Sequence, residues 1–364
     1  MINRIKIEGY KSIKKLDLEL KPINILIGSN GVGKSNFLSF FKLVNNLYER
    51  RLSSYVISQD GAENLLHFGK KITENIYGKI EFSNINSRDS NSFYFNLLPT
   101  NNDNLFISTE GYGYNASWED EIHNYFWTDN IKESELILKS GYRYKYLKEY
   151  LSSLKKYHFH DTGENSPLRN SSQVDDNKYL KENGSNLPAF LYYLQEKYPK
   201  SFNRIEKTIK SIAPYFDRFE LSPDRLNESM IKLEWKEVNQ PDGYFNASHL
   251  SDGTLRFIAL AALLMQPDLP EVIIIDEPEL GLHPFAINKL SGLIRKASAT
   301  SQIIISTQSV NFVDNFEPEE IITVDREKNN ESVFNRLESE NLNNWLSDYT
   351  IGDLWQKNVI KGQP

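Results

Sequence analysis

Ile2, Ile5 and Ile7, then Leu16, Leu18 and Leu20, fall at near-alternating positions, so two strands are expected over 2–8 and 16–20. INILI at 23–27 has the pattern of a buried strand. From Asn36 to about Tyr48 the spacing changes: Phe37, Phe40, Leu43 and Leu47 share one helical face. Residues 74–115 (NIYGKIEF, SFYFNLL, NLFISTEG) predict a β meander broken by Asn-, Ser- and Gly-rich turns. From about 132 to 230 the texture is helical, charged and tyrosine-rich, with a polar loop near 161–178. In HLSDGTLRFIALAALL, residues 249–264, a polar opening leads into an apolar run that predicts a buried helix capped by Ser251 or Asp252. Val272–Ile275 and Gln302–Ser306 add two apolar strands, and strands alternating with helices predict a largely parallel core sheet. There is no internal repeat and no heptad run long enough for a coiled coil.

The length, 364 residues, suits one large domain or one with an inserted lobe. A net charge of −7 argues against a globally basic nucleic-acid binder. The absence of cysteine excludes disulfides and thiolate metal sites. MINRIKIEGY has no apolar signal region, and the longest apolar run, 257–265, is too short to span a bilayer, so a cytoplasmic protein without membrane partners is expected.

GSNGVGKS, residues 28–35, matches the phosphate-loop pattern G-x-x-x-x-G-K-[ST] and lies between a predicted strand and a predicted helix. Gly28, Gly31 and Gly33 let the backbone turn its N–H groups onto a β-phosphate. Lys34 supplies a point charge to the β- and γ-phosphates, and Ser35 a hydroxyl for Mg²⁺. VIIIDEPELGLHP, residues 272–284, places Asp276 at a strand end as the metal-side acid, with Glu277 beside it to orient or deprotonate water. Glu279 reads as a local structural acid.

GSNGVGKS, LSDGTLRF, DEPELGLHP and ISTQS, in that order, resemble the motifs of ABC-type ATPase heads of the RecF/SMC/OLD group, in particular short RecF-like ATPases of the AAA class. The resemblance extends to the ending IGDLWQKNVIKGQP. It implies an α/β P-loop NTPase fold: a mixed core sheet, an N-terminal antiparallel β region and an inserted helical lobe. Lobe I would be 1–131 plus 266–364, and lobe II, bearing the signature LSDGT, would be 132–265. It also implies ATP and Mg²⁺ as ligands, with Asn30, Gly31, Gly33, Lys34, Ser35 and Asn36 on the nucleotide and Gln308 at the switch position. Such heads pair head to tail, so Ser251 and the N–H groups near Gly253 would contact the partner's ATP; an ordinary helix cap is the alternative.

Two departures from the family pattern matter. Gln308 stands where many such ATPases carry histidine, and a glutamine cannot gain charge, which suits slow hydrolysis. Asp252 stands where glycine is common, and Arg256, one helical turn on, is its expected partner. Lys11 in GYKSI occupies a position where related heads carry a basic residue reaching the nucleotide; a solvated turn lysine is the competing reading. Gln59 is a candidate Q-loop glutamine.

His158, His160 and Asp161 resemble a metal pair with a carboxylate, but without a second ligand cluster a structural or interlobe contact is the favoured reading. KSGYRYKYLKEYLSSLKKY, residues 139–157, interleaves tyrosines with Lys139, Arg143, Lys145, Lys148, Lys155 and Lys156, which would suit DNA or RNA or, alternatively, an amphipathic helix with tyrosines inward. Three functions compete. One is a switching ATPase, dimeric around ATP, that gates a partner in DNA maintenance or antiphage defence. The second is the ATPase subunit of a nuclease supplied in trans, since the stretch from Val310 to Pro364 is too short for the Toprim domain of OLD enzymes. The third is a transporter head, against which the lack of a clear Q-loop and the long separation of Ser251 from Ser35 both weigh.

Overall fold

The N-terminal alternation folds as an antiparallel pair. In a computed structural model describing residues 1–83, 90–115, 123–127, 130–327 and 329–362, Ile2–Tyr10 forms β1 and Ile13–Glu19 forms β2, with Ile5 opposite Leu18 and Ile7 opposite Leu16. All four are buried, which fixes the register because a one-residue slip would turn them to solvent. Ile23–Ile27 is β3, buried at every position. Lys34–Tyr48 is α1, burying the expected Phe37, Phe40, Leu43 and Leu47, and Leu52–Ser58 is α2. The meander comprises β4 (Ile76–Ser83), β5 (Ser90–Pro99), β6 (Leu105–Asn115) and β7 (His123–Trp127). It joins the first pair in a six-stranded sheet ordered β2-β1-β4-β5-β6-β7.

Tyr142–Ser153 (α3), Leu187–Lys197 (α4) and Pro199–Ile212 (α5) fulfil the helical reading, with short strands Lys155–Tyr157 (β8) and Ser172–Gln173 (β9) between α3 and α4. The helical reading fails beyond 212. Phe216–Phe219 (β10), Pro223–Asp224 (β11), Asn227–Ile231 (β12), Glu234–Glu237 (β13) and Gln240–Asn246 (β14) build two small sheets, β10-β13-β14 and β11-β12-β9. FDRF and EWKE bury Phe216, Phe219 and Trp235, with the Phe216 and Trp235 rings stacked 6.0 Å apart. These strands are too short, and too charged between the aromatics, for a two-residue period to stand out.

Asp252–Met265 (α6), Val272–Asp276 (β15), Pro284–Ala297 (α7), Gln302–Thr307 (β16), Val310–Val313 (α8), Ile321–Arg326 (β17), Ser332–Arg336 (β18), Ser339–Leu346 (α9) and Ile351–Gln356 (α10) complete the chain. The second six-stranded sheet runs β18-β17-β3-β16-β15-β8. It is mixed: β3 is parallel to both β16 and β17, whereas β18 is antiparallel to β17. Ile27 lies opposite both Thr307 and Thr323, so the loop after β3 and the loop after β16 leave at the same end of the strands. Two compact units result: 1–156 with 271–274 and 301–364, and 157–270 with 275–300. Among the described residues no helix is long and apolar enough to cross a membrane.

Candidate nucleotide site

In the first unit, residues 28–33 connect β3 to α1, whose first residues are Lys34 and Ser35, the strand–loop–helix context that the phosphate-loop pattern requires. Lys34 is buried, and its Nζ donates to the carbonyls of Gly28 at 2.5 Å and Ser29 at 2.9 Å, holding the ammonium over the start of its own loop. Asn30, Gly31 and Ser35 face solvent. Gly33 has φ 121°, and a Cβ there would meet the Ser332 hydroxyl at 2.1 Å, so both conformation and space demand glycine. Ser332 Oγ lies 2.5 Å from the Val32 carbonyl and 2.7 Å from Ser12 Oγ, which accepts from Asn36 Nδ2 at 2.8 Å. This hydroxyl pair backs the loop. No motif pointed to it, although Ser12 stands beside Lys11 in GYKSI.

Gly28, Ser29 and Asn30 line a cavity of about 380 Å³ together with Gln308, Val310, Trp355 and Gly362. The exposed Gln308 follows β16, and the pairing of β16 with β3 delivers it to the loop. The C-terminal turn was not expected there. It is held by Trp355 Nε1 donating to the Gly362 carbonyl at 3.2 Å and by the Gly362 N–H donating to Asp325 Oδ1 at 2.8 Å. Lys11 has φ 50°, and its Nζ donates to Gln59 Oε1 at 3.2 Å, so these two separately selected residues meet. Burial, reinforced by Lys156 and Lys42, holds the Lys11 ammonium below its usual pKa.

Two of the selected motifs lie mainly in the second unit. Asp276 ends β15, and Glu277 follows in the left-handed region at φ 41°, a conformation costing about 1–2 kcal/mol for a residue with a Cβ. His160 feels both acids, yet burial outweighs them and lowers its pKa. Among the described residues no group of three or more His, Asp or Glu is arranged to hold a metal ion. Ser251 caps α6, its hydroxyl accepting from the Thr254 N–H at 3.2 Å while remaining exposed.

Asp252 does not pair with Arg256. Its partner is Arg169, whose Nη2 donates to Asp252 Oδ1 at 2.8 Å. The Arg256 guanidinium is turned inward and donates to the carbonyls of Phe159 at 2.8 Å and His160 at 2.9 Å. Burial pushes its pKa down, against Asp252 and Glu279. The cause of the missed pairing is direction: the Arg256 side chain leaves α6 toward the interior, where the Phe159 and His160 carbonyls are the acceptors in reach, while Asp252 is exposed on the helix surface.

A Cβ on Gly253 would lie 2.5 Å from the Gly281 carbonyl, so the signature helix approaches the ELGLHP turn backbone to backbone. Gly253→Ala is therefore expected to lower the unfolding free energy by about 1–3 kcal/mol through overpacking. Chemical denaturation checks this, and an unchanged midpoint would contradict the close approach.

The basic tyrosine-rich segment spends much of its chemistry on packing. Tyr150 stacks on Phe82 with ring centres 4.7 Å apart, and Tyr144 meets Tyr112 edge-on at 5.2 Å. Lys148 Nζ donates to the carbonyls of Ile137 at 2.7 Å and Lys139 at 2.6 Å. The side chain of Arg143 lies outside the described residues.

A phosphate loop between strand and helix, a second apolar strand ending in an acidic pair, and a capped signature helix define an ABC-type ATPase head of the RecF/SMC/OLD group. Residues 23–314 match the family described as "AAA domain, putative AbiEii toxin, Type IV TA system", and the chain belongs to it. It is 22% identical over 348 residues to the Old nuclease of Escherichia phage P2, covering 85% of this chain and 56% of that protein. It is 36% identical over 89 residues to the energy-coupling factor transporter ATP-binding protein EcfA of Methanocaldococcus jannaschii, covering 24% of this chain and 31% of that protein. The chain thus spans little more than half, at most, of the curated relatives it matches. In fold it is similar to an Smc head bound to the C-winged helix domain of ScpA, with TM-score 0.61 and 16% identity over 93% of this chain and 98% of that one. It is also similar to an Smc head from Pyrococcus furiosus bound to the C-terminal domain of ScpA, with TM-score 0.57 and 15% identity over 95% and 98%.

Proposed function

We propose that this chain binds Mg-ATP, pairs head to tail around it, hydrolyses it slowly and uses the cycle to switch a partner protein. The supporting observation is the cavity that joins Gly28, Ser29 and Asn30 to Gln308, in a chain that carries a second phosphate-suited helix start at Ser251–Gly253. Lys34 holds the β- and γ-phosphates, exchanging its two carbonyl contacts for phosphate oxygens. Ser35, exposed at the start of α1, and Asp276, at the end of β15, have the oxygen donors that suit magnesium, which would neutralise charge developing on the phosphates. Glu277 accepts a proton from the water that attacks the γ-phosphorus, and ADP leaves with the electron pair of the broken P–O bond. Gln308 orients that water or the γ-phosphate without changing charge.

The likeness to the Old nuclease over 85% of this chain favours a second reading, an ATPase that works with a nuclease activity. DNA maintenance and antiphage defence are the settings in which either reading fits the group.

The test is the mass of the particle. With the non-turning-over variant Glu277→Gln, ATP is expected to convert monomer to dimer in light scattering, and ADP is not. A mass that stays monomeric with ATP at saturating concentration would remove the head-to-tail reading and leave a nucleotide-binding monomer.

A further inference from the structure

The strand–loop–helix at the phosphate loop and the acidic pair at Asp276–Glu277 leave Arg169, a largely covered cation of the second unit, without a task. The Arg169 side chain is only 9% exposed, although it ends a short turn in a polar loop. Its Nε donates to the Thr162 carbonyl at 2.8 Å. Nη1 donates to the carbonyls of Ala247 and of Leu250, the latter at 3.3 Å. Nη2 donates to the Leu250 carbonyl at 3.2 Å and to Asp252 Oδ1 at 2.8 Å. Every nitrogen of the guanidinium is thus directed at the peptide that leads into the signature helix or at the loop that carries Arg169 itself. A planar fork with five N–H groups can span these acceptors; an ammonium cannot. Arg256 makes the reverse connection, from inside α6 to the carbonyls of Phe159 and His160. Two arginines therefore fasten the segment 159–169 to the signature helix, one at each end.

We propose that Arg169 is the positioning residue of the signature. It fixes the Leu250–Ser251 peptide so that the Ser251 hydroxyl and the first N–H groups of α6 face a phosphate. It also cancels the charge of Asp252, which is exposed beside them and would otherwise repel that phosphate. This rests on the proposal that Ser251 serves the ATP of a partner chain, and it adds the residue that makes an acidic signature compatible with an anionic ligand. Arg169 touches no nucleotide. It acts through Leu250 and Asp252.

The experiment measures steady-state ATPase of full-length Arg169→Met and Arg169→Lys, alone and mixed with other variants, with fluorescent-ATP binding alongside. Arg169→Met is expected to lower kcat at least tenfold while nucleotide affinity at the phosphate loop stays within twofold. Arg169→Lys, which keeps charge but loses the fork, is expected to fall between the two. Adding Asp252→Asn to Arg169→Met is expected to recover at least threefold, since the repulsion disappears even though the grip on Leu250 does not. Mixed with Lys34→Ala chains, Arg169→Met chains regain activity; mixed with Ser251→Arg chains they do not, because both lesions lie on the signature side. A wild-type kcat for Arg169→Met, or complementation by Ser251→Arg instead of Lys34→Ala, overturns the assignment. If Arg169→Met does not fold, as judged by its thermal transition, Arg169→Lys with and without Asp252→Asn decides by the same rescue. The underlying reading fails separately. If Lys34→Ala and Ser251→Arg do not complement each other, the head-to-tail pairing falls whatever Arg169 does; if they do and Arg169→Met behaves otherwise, only the role of Arg169 falls.

Discussion

Mixing Lys34→Ala chains with Ser251→Arg chains is expected to restore ATPase activity that neither variant has alone. Lys34 is the buried ammonium of the phosphate loop, and its loss removes the charge that would hold the β- and γ-phosphates. Ser251 heads the signature helix, and an arginine there would fill the exposed surface that its hydroxyl now occupies. If each nucleotide lies between the phosphate loop of one chain and the signature of the other, a mixed dimer has one doubly damaged site and one intact site. Random pairing makes half of the dimers mixed, so about a quarter of the wild-type rate is the ceiling for a two-fold assembly whose sites act independently. If the signature serves its own chain, every site carries one lesion and the mixture stays inactive. Subunit exchange must be confirmed, by pull-down of differently tagged chains, before inactivity is read this way.

The second large effect is expected at Glu277. Glu277→Gln keeps the size and hydrogen-bonding reach of the side chain but cannot take a proton, so turnover should fall by about 10²–10⁴, the usual contribution of a general base. ATP affinity should stay within a few-fold, because the carboxyl group acts on water and not on the nucleotide. A rapid-quench measurement of γ-phosphate release, with a filter-binding assay alongside, separates the two quantities. Turnover near wild type would take the proton-accepting role away from Glu277. The backbone at φ 41° adds weight to the choice, since strained conformations of residues with a Cβ persist where the surroundings over-determine them, and such places cluster at active sites.

How much of this was legible in the sequence depended on distance along the chain. The phosphate loop was readable because the strand, the glycines, the lysine and the helix all lie within the single stretch 23–48, and each local preference agrees with the others. Gln308 was selected by motif order, and the sheet order then explains how it arrives, through β16 pairing with β3. Arg169 was invisible, since its partner Asp252 is distant in the chain and no periodicity links a polar loop to a helix cap. Arg256 was misassigned for the opposite reason: its helical-turn spacing from Asp252 suggested a surface pair, but its side chain leaves the helix toward the interior and meets main-chain carbonyls. Trp355 and Gly362 entered only through a resemblance, because a turn that folds back over a loop near the opposite end of the chain leaves no local mark. The strands between 216 and 246 were lost to their brevity and charge.

The position of β3 also governs when the fold can form. This short strand is complete once Ile27 has been made, but both of its neighbours, β16 and β17, lie near the other end of the chain, at Gln302–Thr307 and Ile321–Arg326. The contact order of the central sheet is therefore high, and the closure entropy of the long loop from Ile27 to Gln302 must be met before the pairing gains anything. During synthesis, INILI is made long before β16 and β17, and it stays an apolar segment with two open edges until those strands follow. The antiparallel pair β1–β2 has no such delay, being joined by a short turn. The emerging chain thus carries its nucleotide motif long before it has a sheet to mount it on, and in that interval the exposed strand is the segment most in need of shielding from other chains.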